Sequence, residues 1–256
     1  MKILGYIPAR MAASRFPGKP LKIIKDNTML EHVVKRAKLY KKWTSLSVTT
    51  CDDQIMKFAK DKGYNSILTS KKHKRCLDRV FEAANKQYKK LSNNDIIVCV
   101  QGDEPMLRPE MISSVVKTLK KDKKIGASVL SIKIVSEKEF NNPDIVKIIH
   151  DLKGKVLYTS RSPIPYAKKF SILNNPRRIG GIFAFRYYFL KKYHFSKPSP
   201  LEIMESCDTN RICDNGGGMY IAPVNFTDYF SVDSPKDLVK VKKEIVKTKI
   251  WKRYKF

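Results

Sequence analysis

Short apolar runs alternate along this chain with segments whose apolar positions recur every three or four residues. Lys2–Ile7 predicts a first buried strand and Leu46–Thr50 a second. Ser66–Leu68 predicts a short third, and Ile96–Val100 a fully apolar fourth. Between them, Thr28 to Glu31 has the form of a capping box, and Met29, Leu30, Val33, Val34 and Ala37 follow at helical spacing. Asp53–Lys62 predicts a helix stopped by Gly63, and Leu77–Leu91 another. Pro109 is placed to open a helix running to about Lys120. Such alternation implies an α/β fold with a mostly parallel sheet covered by helices on both faces.

The middle of the chain changes character. Ala127–Ile134, Val146–His150 and Lys155–Thr159 predict strands, with Asp151–Gly154 as a hairpin turn. Gly180–Arg186 is a further strand, followed by helices at Tyr187–Lys192 and Pro200–Asp214. A strand near Tyr220–Val224 and a helix at Pro235–Lys247 complete the pattern. The expectation is one domain over residues 1–256 with an antiparallel excursion at about 130–190.

Composition narrows the class. No stretch is long and apolar enough to span a membrane, and the apolar N-terminal run is broken early by Pro8 and Arg10. The five cysteines form no C-x-x-C pair and the four histidines are scattered, so free thiols and a cytoplasmic setting are expected rather than a zinc site. The net charge of +28 raises nucleic-acid binding as an alternative. Lysines, however, are spread over the whole chain without a basic arm, so neither nucleic acid nor membrane is the expected partner.

Candidate chemistry begins in the loop after the first strand. It lies at the carboxyl end of the predicted sheet, where open α/β sheets bind ligands. Ala12, Ala13 and Ser14 keep it narrow, and Gly18 permits unusual backbone angles. Arg10, Arg15 and Lys19 put three positive charges within ten residues, suited to phosphate. Asp103 and Asp233 both follow apolar runs, so two strand ends can present them together; Asp233 also reads as a helix cap before Ser234-Pro235.

Five motifs in order make the chain resemble a known family. They are Ile7 to Arg10 with Ser14 to Leu21, Val100 to Pro105, Tyr158 to Pro165, Ser199 to Glu202, and Val232 to Leu238. Together they resemble the sugar-acid cytidylyltransferases, above all the CMP-Kdo synthetase (3-deoxy-manno-octulosonate cytidylyltransferase) family. The resemblance implies a Rossmann-like, mostly parallel sheet of the GT-A-like nucleotidyltransferase type, whose antiparallel central excursion makes a homodimer contact. It implies an enzyme that joins CTP to a 2-keto sugar acid with Mg²⁺ as cofactor, in lipopolysaccharide biosynthesis. Pro8, Ala9, Arg10, Arg15, Lys19, His73, Arg75, Arg79 and Asp103 would hold the nucleotide. Arg15, Lys19 and Asp103 would serve catalysis, and Asp103 and Asp233 the metal. Gln101, Arg161, Gly181, Phe183, Glu205, Asp208 and Arg211 would meet the sugar acid.

Two segments depart from the family pattern. Lys74 to Leu77 replace a small polar centre after His73, and Ile179 to Phe185 lack a His and a Tyr hydroxyl. A site that hydrogen-bonds a substrate group rejects analogues lacking it, so the expectation includes a modified, Kdo-like sugar. The alternatives are a nucleotidyltransferase using another base or a nonulosonic acid, and a basic nucleic-acid-binding protein.

Overall fold

Strands that are apolar on both sides need a core on each face of their sheet. The computed structural model, which describes residues 1–12, 15–225 and 229–254, has both. The N-terminal half contains β1 (Ile3–Pro8), the two-residue strands β2 (Ile23–Ile24) and β3 (Asn27–Thr28), α1 (Met29–Lys38) and β4 (Ser45–Thr50). α2 (Asp53–Asp61), β5 (Ser66–Leu68), α3 (Cys76–Gln87), β6 (Ile96–Val100) and α4 (Pro109–Lys121) follow. Next come β7 (Ala127–Lys133), α5 (Glu137–Asn141), β8 (Lys147–His150), β9 (Val156–Ser160) and β10 (Arg177–Arg186). The remainder is α6 (Tyr187–Phe195), α7 (Pro200–Glu205), α8 (Asp208–Asp214), β11 (Met219–Val224) and α9 (Pro235–Glu244).

Among the described residues the main sheet runs β11-β7-β10-β6-β1-β4-β5. β1 pairs in parallel with β4 and β6, β4 with β5, and β7 with β11. β10 is the exception on this path, antiparallel to β6 and β7. β8 lies antiparallel to the start of β10 and forms a hairpin with β9, so the antiparallel excursion is present. One face packs α1 and α4 against Ile7, Val98 and Val100; the other packs α3 and α6 against Tyr6, Ile97 and Cys99. None of the described helices is long and apolar enough to cross a membrane.

Local chemistry explains several boundaries. The Thr28–Glu31 capping box opens α1, and Pro109 opens α4. At the β8–β9 turn Gly154 has φ 83°, and the Asp151 carboxylate accepts from the Lys153 and Lys155 amides. Three expectations need correction. The strand expected from residue 180 starts at Arg177, where Arg177 and Arg178 are buried against backbone carbonyls of Ser131 and Tyr229. The single helix expected over 200–214 is broken by Ser206, at φ 50°. The expected last helix stops at Glu244 and continues as a 3₁₀ turn, Ile245–Lys247.

Candidate active site

β1 and β6 are parallel neighbours, so the loops at their carboxyl ends open side by side. Gly18, with φ 70°, turns the first loop back: its amide donates to the Met11 carbonyl at 3.0 Å. Ala13 and Ser14 lie outside the described residues. The second loop carries Gln101 to Pro105. A third segment, ending in Asp233, is stitched on where the Val232 amide donates to the Asp103 carbonyl at 3.0 Å. The start of α3 closes the far side.

These pieces surround a cavity of about 240 Å³. Every nucleotide-side residue expected from the sequence lines it: Pro8, Ala9, Arg10, Arg15 and Lys19 from the first loop, His73, Arg75 and Arg79 from the far side, and Asp103. Asp233 and Gln101 line it as well. The cap of α9 is Ser234, in a capping box with Asp237, so the Asp233 carboxylate is not spent on the helix.

Charge is concentrated at the mouth of this cavity. Lys19 Nζ donates to Asp103 Oδ2 at 2.9 Å and to the Val232 carbonyl at 2.7 Å, and lies 3.9 Å from Asp233 Oδ1. Arg15 bridges Asp233, at 2.9 Å, and Asp144. Burial and the neighbouring Asp103 raise the Asp233 carboxyl above its ordinary range, with Lys19 and Arg15 pulling the other way. Asp103 Oδ1 is buried without a hydrogen-bond partner among the described residues. A buried acceptor left unsatisfied beside a second carboxylate suits a hard divalent cation, and Mg²⁺ is commonly held by one or two carboxylates plus substrate phosphates.

The far side is organised by ion pairs. Arg79 is buried, donating to Thr69 Oγ1 at 2.6 Å and to the Ser70 carbonyl at 3.3 Å. His73 Nε2 is bonded to Glu82. Burial opposes ionisation of Glu82, but Lys86, the Ser70 amide and His73 outweigh it and bring its pKa down to about 2. Arg75 is held by Glu202, at 3.1 Å, and by Asp208, at 3.7 Å.

The residues expected to meet the sugar separate into different environments. Gln101 alone among them lines the cavity, its Nε2 3.5 Å from the Cys76 thiol. That thiol in turn donates to Asp208 Oδ2 at 3.2 Å. Glu205 accepts from Ser160 Oγ, at 2.6 Å, and from the Arg161 amide, at 2.9 Å. Arg161 Nη1 reaches the Pro143 carbonyl at 2.9 Å, next to the Asp144 that pairs with Arg15.

Three of these residues are enclosed by the protein itself. Phe183 sits in the core with Leu77 and Cys99, because alternation along β10 sends Ile182 and Ala184 to the opposite face. Arg211 is buried between Glu202, at 2.7 Å, and Asp78, at 3.2 Å, under the Tyr193 ring, and is a structural ion-pair centre. Gly181 is buried; its amide donates to Glu104 Oε1 at 3.0 Å. Sequence reasoning missed Glu104. It is buried, its pKa is pushed up to about 8 by burial and by Asp103, and it accepts from Tyr229 and Ser231. The only signal was its place beside Asp103.

Comparison with known proteins bears on the whole assembly. Residues 4–221 match a family model described as cytidylyltransferase. A 3-deoxy-manno-octulosonate cytidylyltransferase of Fusobacterium nucleatum is 38% identical over 216 residues, covering 84% of this chain and 86% of that protein. Its counterpart in Thermodesulfovibrio yellowstonii is 35% identical over 246 residues, covering 93% and 96%. Among solved structures, CMP:2-keto-3-deoxy-manno-octonic acid synthetase complexed with CTP superposes with a TM-score of 0.85 at 30% identity. That match covers 96% of this chain and 99% of the other.

Proposed function

This chain belongs to the cytidylyltransferase family, and we propose that it couples CTP to a 2-keto-3-deoxy sugar acid of the Kdo type, releasing pyrophosphate. The carrying observation is the convergence of Lys19, Asp103 and Asp233 at the mouth of one cavity, with Asp103 Oδ1 left without a partner among the described residues. The chain acts as one domain over residues 1–256, its two cores sharing one sheet.

The nucleotide enters between the Pro8–Ala9 backbone and the wall of His73, Arg75 and Arg79. Arg10, Arg15 and Lys19 neutralise its triphosphate, and Arg15 trades its carboxylate partners for phosphate oxygens. Asp103 and Asp233 would hold Mg²⁺, which supplies Lewis-acid stabilisation of charge on the phosphates. The sugar hydroxyl attacks the α-phosphorus, and the bond to pyrophosphate breaks. Gln101 meets the sugar acid in the cavity. Arg161, held by Glu205 and one short segment away from Arg15, supplies the cation for its carboxylate.

Pyrophosphate release tests this with a matrix of nucleoside triphosphates against Kdo, its amino and deoxy variants, and a nonulosonic acid. CTP with a Kdo-type acid gives the highest kcat/KM; a preference for another base, or for the nonulosonic acid, sinks the assignment. A best substrate altered at the hydroxyl end accords with the Ile179 to Phe185 sequence, whereas unmodified Kdo turning over best removes that refinement.

The excursion and the neighbouring α7 carry exposed apolar side chains that suit a homodimer. Leu152 at the hairpin tip, Leu157 on β9, and Ile203 and Met204 on α7 are all exposed. Sedimentation velocity should show a dimer for the native protein and a monomer for Leu157→Asp/Met204→Asp; a monomeric native protein contradicts it. Five unpaired cysteines accord with a cytoplasmic enzyme.

A further inference from the structure

We propose that Glu104 is a positioning residue that sets the spacing of Asp103 and Asp233; this rests on the reading of that pair as the metal site. Glu104 is 2% exposed. It follows Asp103 directly and points away from the cavity, into a junction of three segments. Its Oε1 accepts from the Gly181 amide of β10 at 3.0 Å and from Ser231 Oγ at 2.9 Å. Its Oε2 accepts from Ser231 Oγ at 2.8 Å and from the Tyr229 hydroxyl. One side chain therefore ties the end of β6 to β10 and to the segment that delivers Asp233 two residues later.

The far end of that segment is fixed independently. Arg178 Nη2 donates to the Tyr229 carbonyl at 3.0 Å, and the Val232 amide donates to the Asp103 carbonyl at 3.0 Å. Tyr229 is held at its ring hydroxyl and its backbone, leaving Ser231 to Asp233 little freedom to slide along β6.

Gly181 completes the arrangement. A Cβ built there would lie 2.2 Å from Glu104 Oε1 and 2.7 Å from Gln101 Oε1. Gly181 leaves room for the Glu104 carboxyl group, which lies against its backbone.

A buried carboxyl group served by hydroxyls and an amide is an expensive way to fill space, since an apolar side chain of similar volume would pack there without burying polar atoms. What it supplies is direction: three donors, Gly181, Tyr229 and Ser231, reach it from two other segments of the chain. Outer groups that orient metal-binding carboxylates typically change metal affinity by about 10–100-fold when removed.

The experiment is Mn²⁺ binding by electron paramagnetic resonance in the presence of a non-hydrolysable CTP analogue. Wild type, Asp103→Asn, Glu104→Ala, Tyr229→Phe and Gly181→Ala are compared. Steady-state assays supply the Mg²⁺ half-saturation and the KM for CTP at saturating metal. Glu104→Ala and Gly181→Ala should weaken Mn²⁺ binding by about 10-fold or more. The Mg²⁺ half-saturation should rise in step, while the KM for CTP at saturating Mg²⁺ changes by less than about threefold, a split that general destabilisation does not produce. Tyr229→Phe removes one strut without emptying the junction and should give a smaller shift in the same direction; it decides the matter if Glu104→Ala does not fold. Wild-type Mn²⁺ binding that Asp103→Asn abolishes but that Glu104→Ala and Tyr229→Phe leave unchanged overturns the positioning role alone. Mn²⁺ binding that Asp103→Asn leaves intact overturns the metal site itself.

Discussion

Asp103→Asn should reduce kcat by roughly 10³-fold, the order expected when preorganised charge at a reacting phosphate is lost. The substitution keeps the volume and one oxygen, so the fold has no reason to change. Asp103 is partly exposed, and in the variant Lys19 keeps the Val232 carbonyl and its closeness to Asp233, so folding stability should move by about 1 kcal/mol or less. Asp103 Oδ1 has no partner among the described residues to lose. The measurements are single-turnover kinetics with CTP and sugar acid alongside thermal unfolding. A variant as unstable as it is inactive, or one within about threefold of wild-type kcat, contradicts the assigned role.

Lys19→Met should have the second-largest effect, with kcat/KM for CTP falling by about 10²-fold or more. Its ammonium is well buried, meets Asp103 and the Val232 carbonyl, and stands near Asp233. It performs two tasks: it separates two carboxylates that would otherwise repel, and it presents positive charge to the incoming phosphates. Lys19→Arg should not restore full activity, because a planar guanidinium cannot occupy the compact position that one Nζ shares between a carboxylate and a carbonyl. Initial rates across CTP concentrations check both variants. Full rescue by Arg would show that charge alone matters there, and an unchanged Lys19→Met would remove Lys19 from the site.

Features that act over a few residues were legible in the sequence. The Thr28–Glu31 capping box, Pro109 opening α4, and the apolar run of β6 are local, and their elements form where expected. The lining of the cavity was legible for the same reason. Pro8 to Lys19 follow one strand, and Gln101 and Asp103 follow its parallel neighbour.

The residues expected to meet the sugar acid were less legible because long-range pairing decides their surroundings. Arg75 and Glu202 are 127 positions apart, and Asp78 and Arg211 are 133 apart. Nothing in the spacing shows that Arg211 is consumed by an internal ion pair rather than offered to a ligand. Phe183 illustrates a second limit: alternation in β10 shows that 183 and 184 face opposite ways, but not which face holds the cavity. Glu104 illustrates a third. A glutamate next to a candidate metal ligand reads as surface or as another ligand, and only the contacts with Gly181, Tyr229 and Ser231 show that it turns inward.

The cleft is assigned the joining of a cytidine nucleotide to a sugar acid. Phosphorus NMR of the native protein with CTP, Kdo and Mg²⁺ tests it most directly. The predicted result is loss of the triphosphate signals, with equimolar appearance of pyrophosphate and a sugar phosphodiester, and no change when the sugar acid is left out. A triphosphate that persists with Kdo and every Kdo-type acid supplied, or that decays to CMP without a sugar phosphodiester, would contradict it.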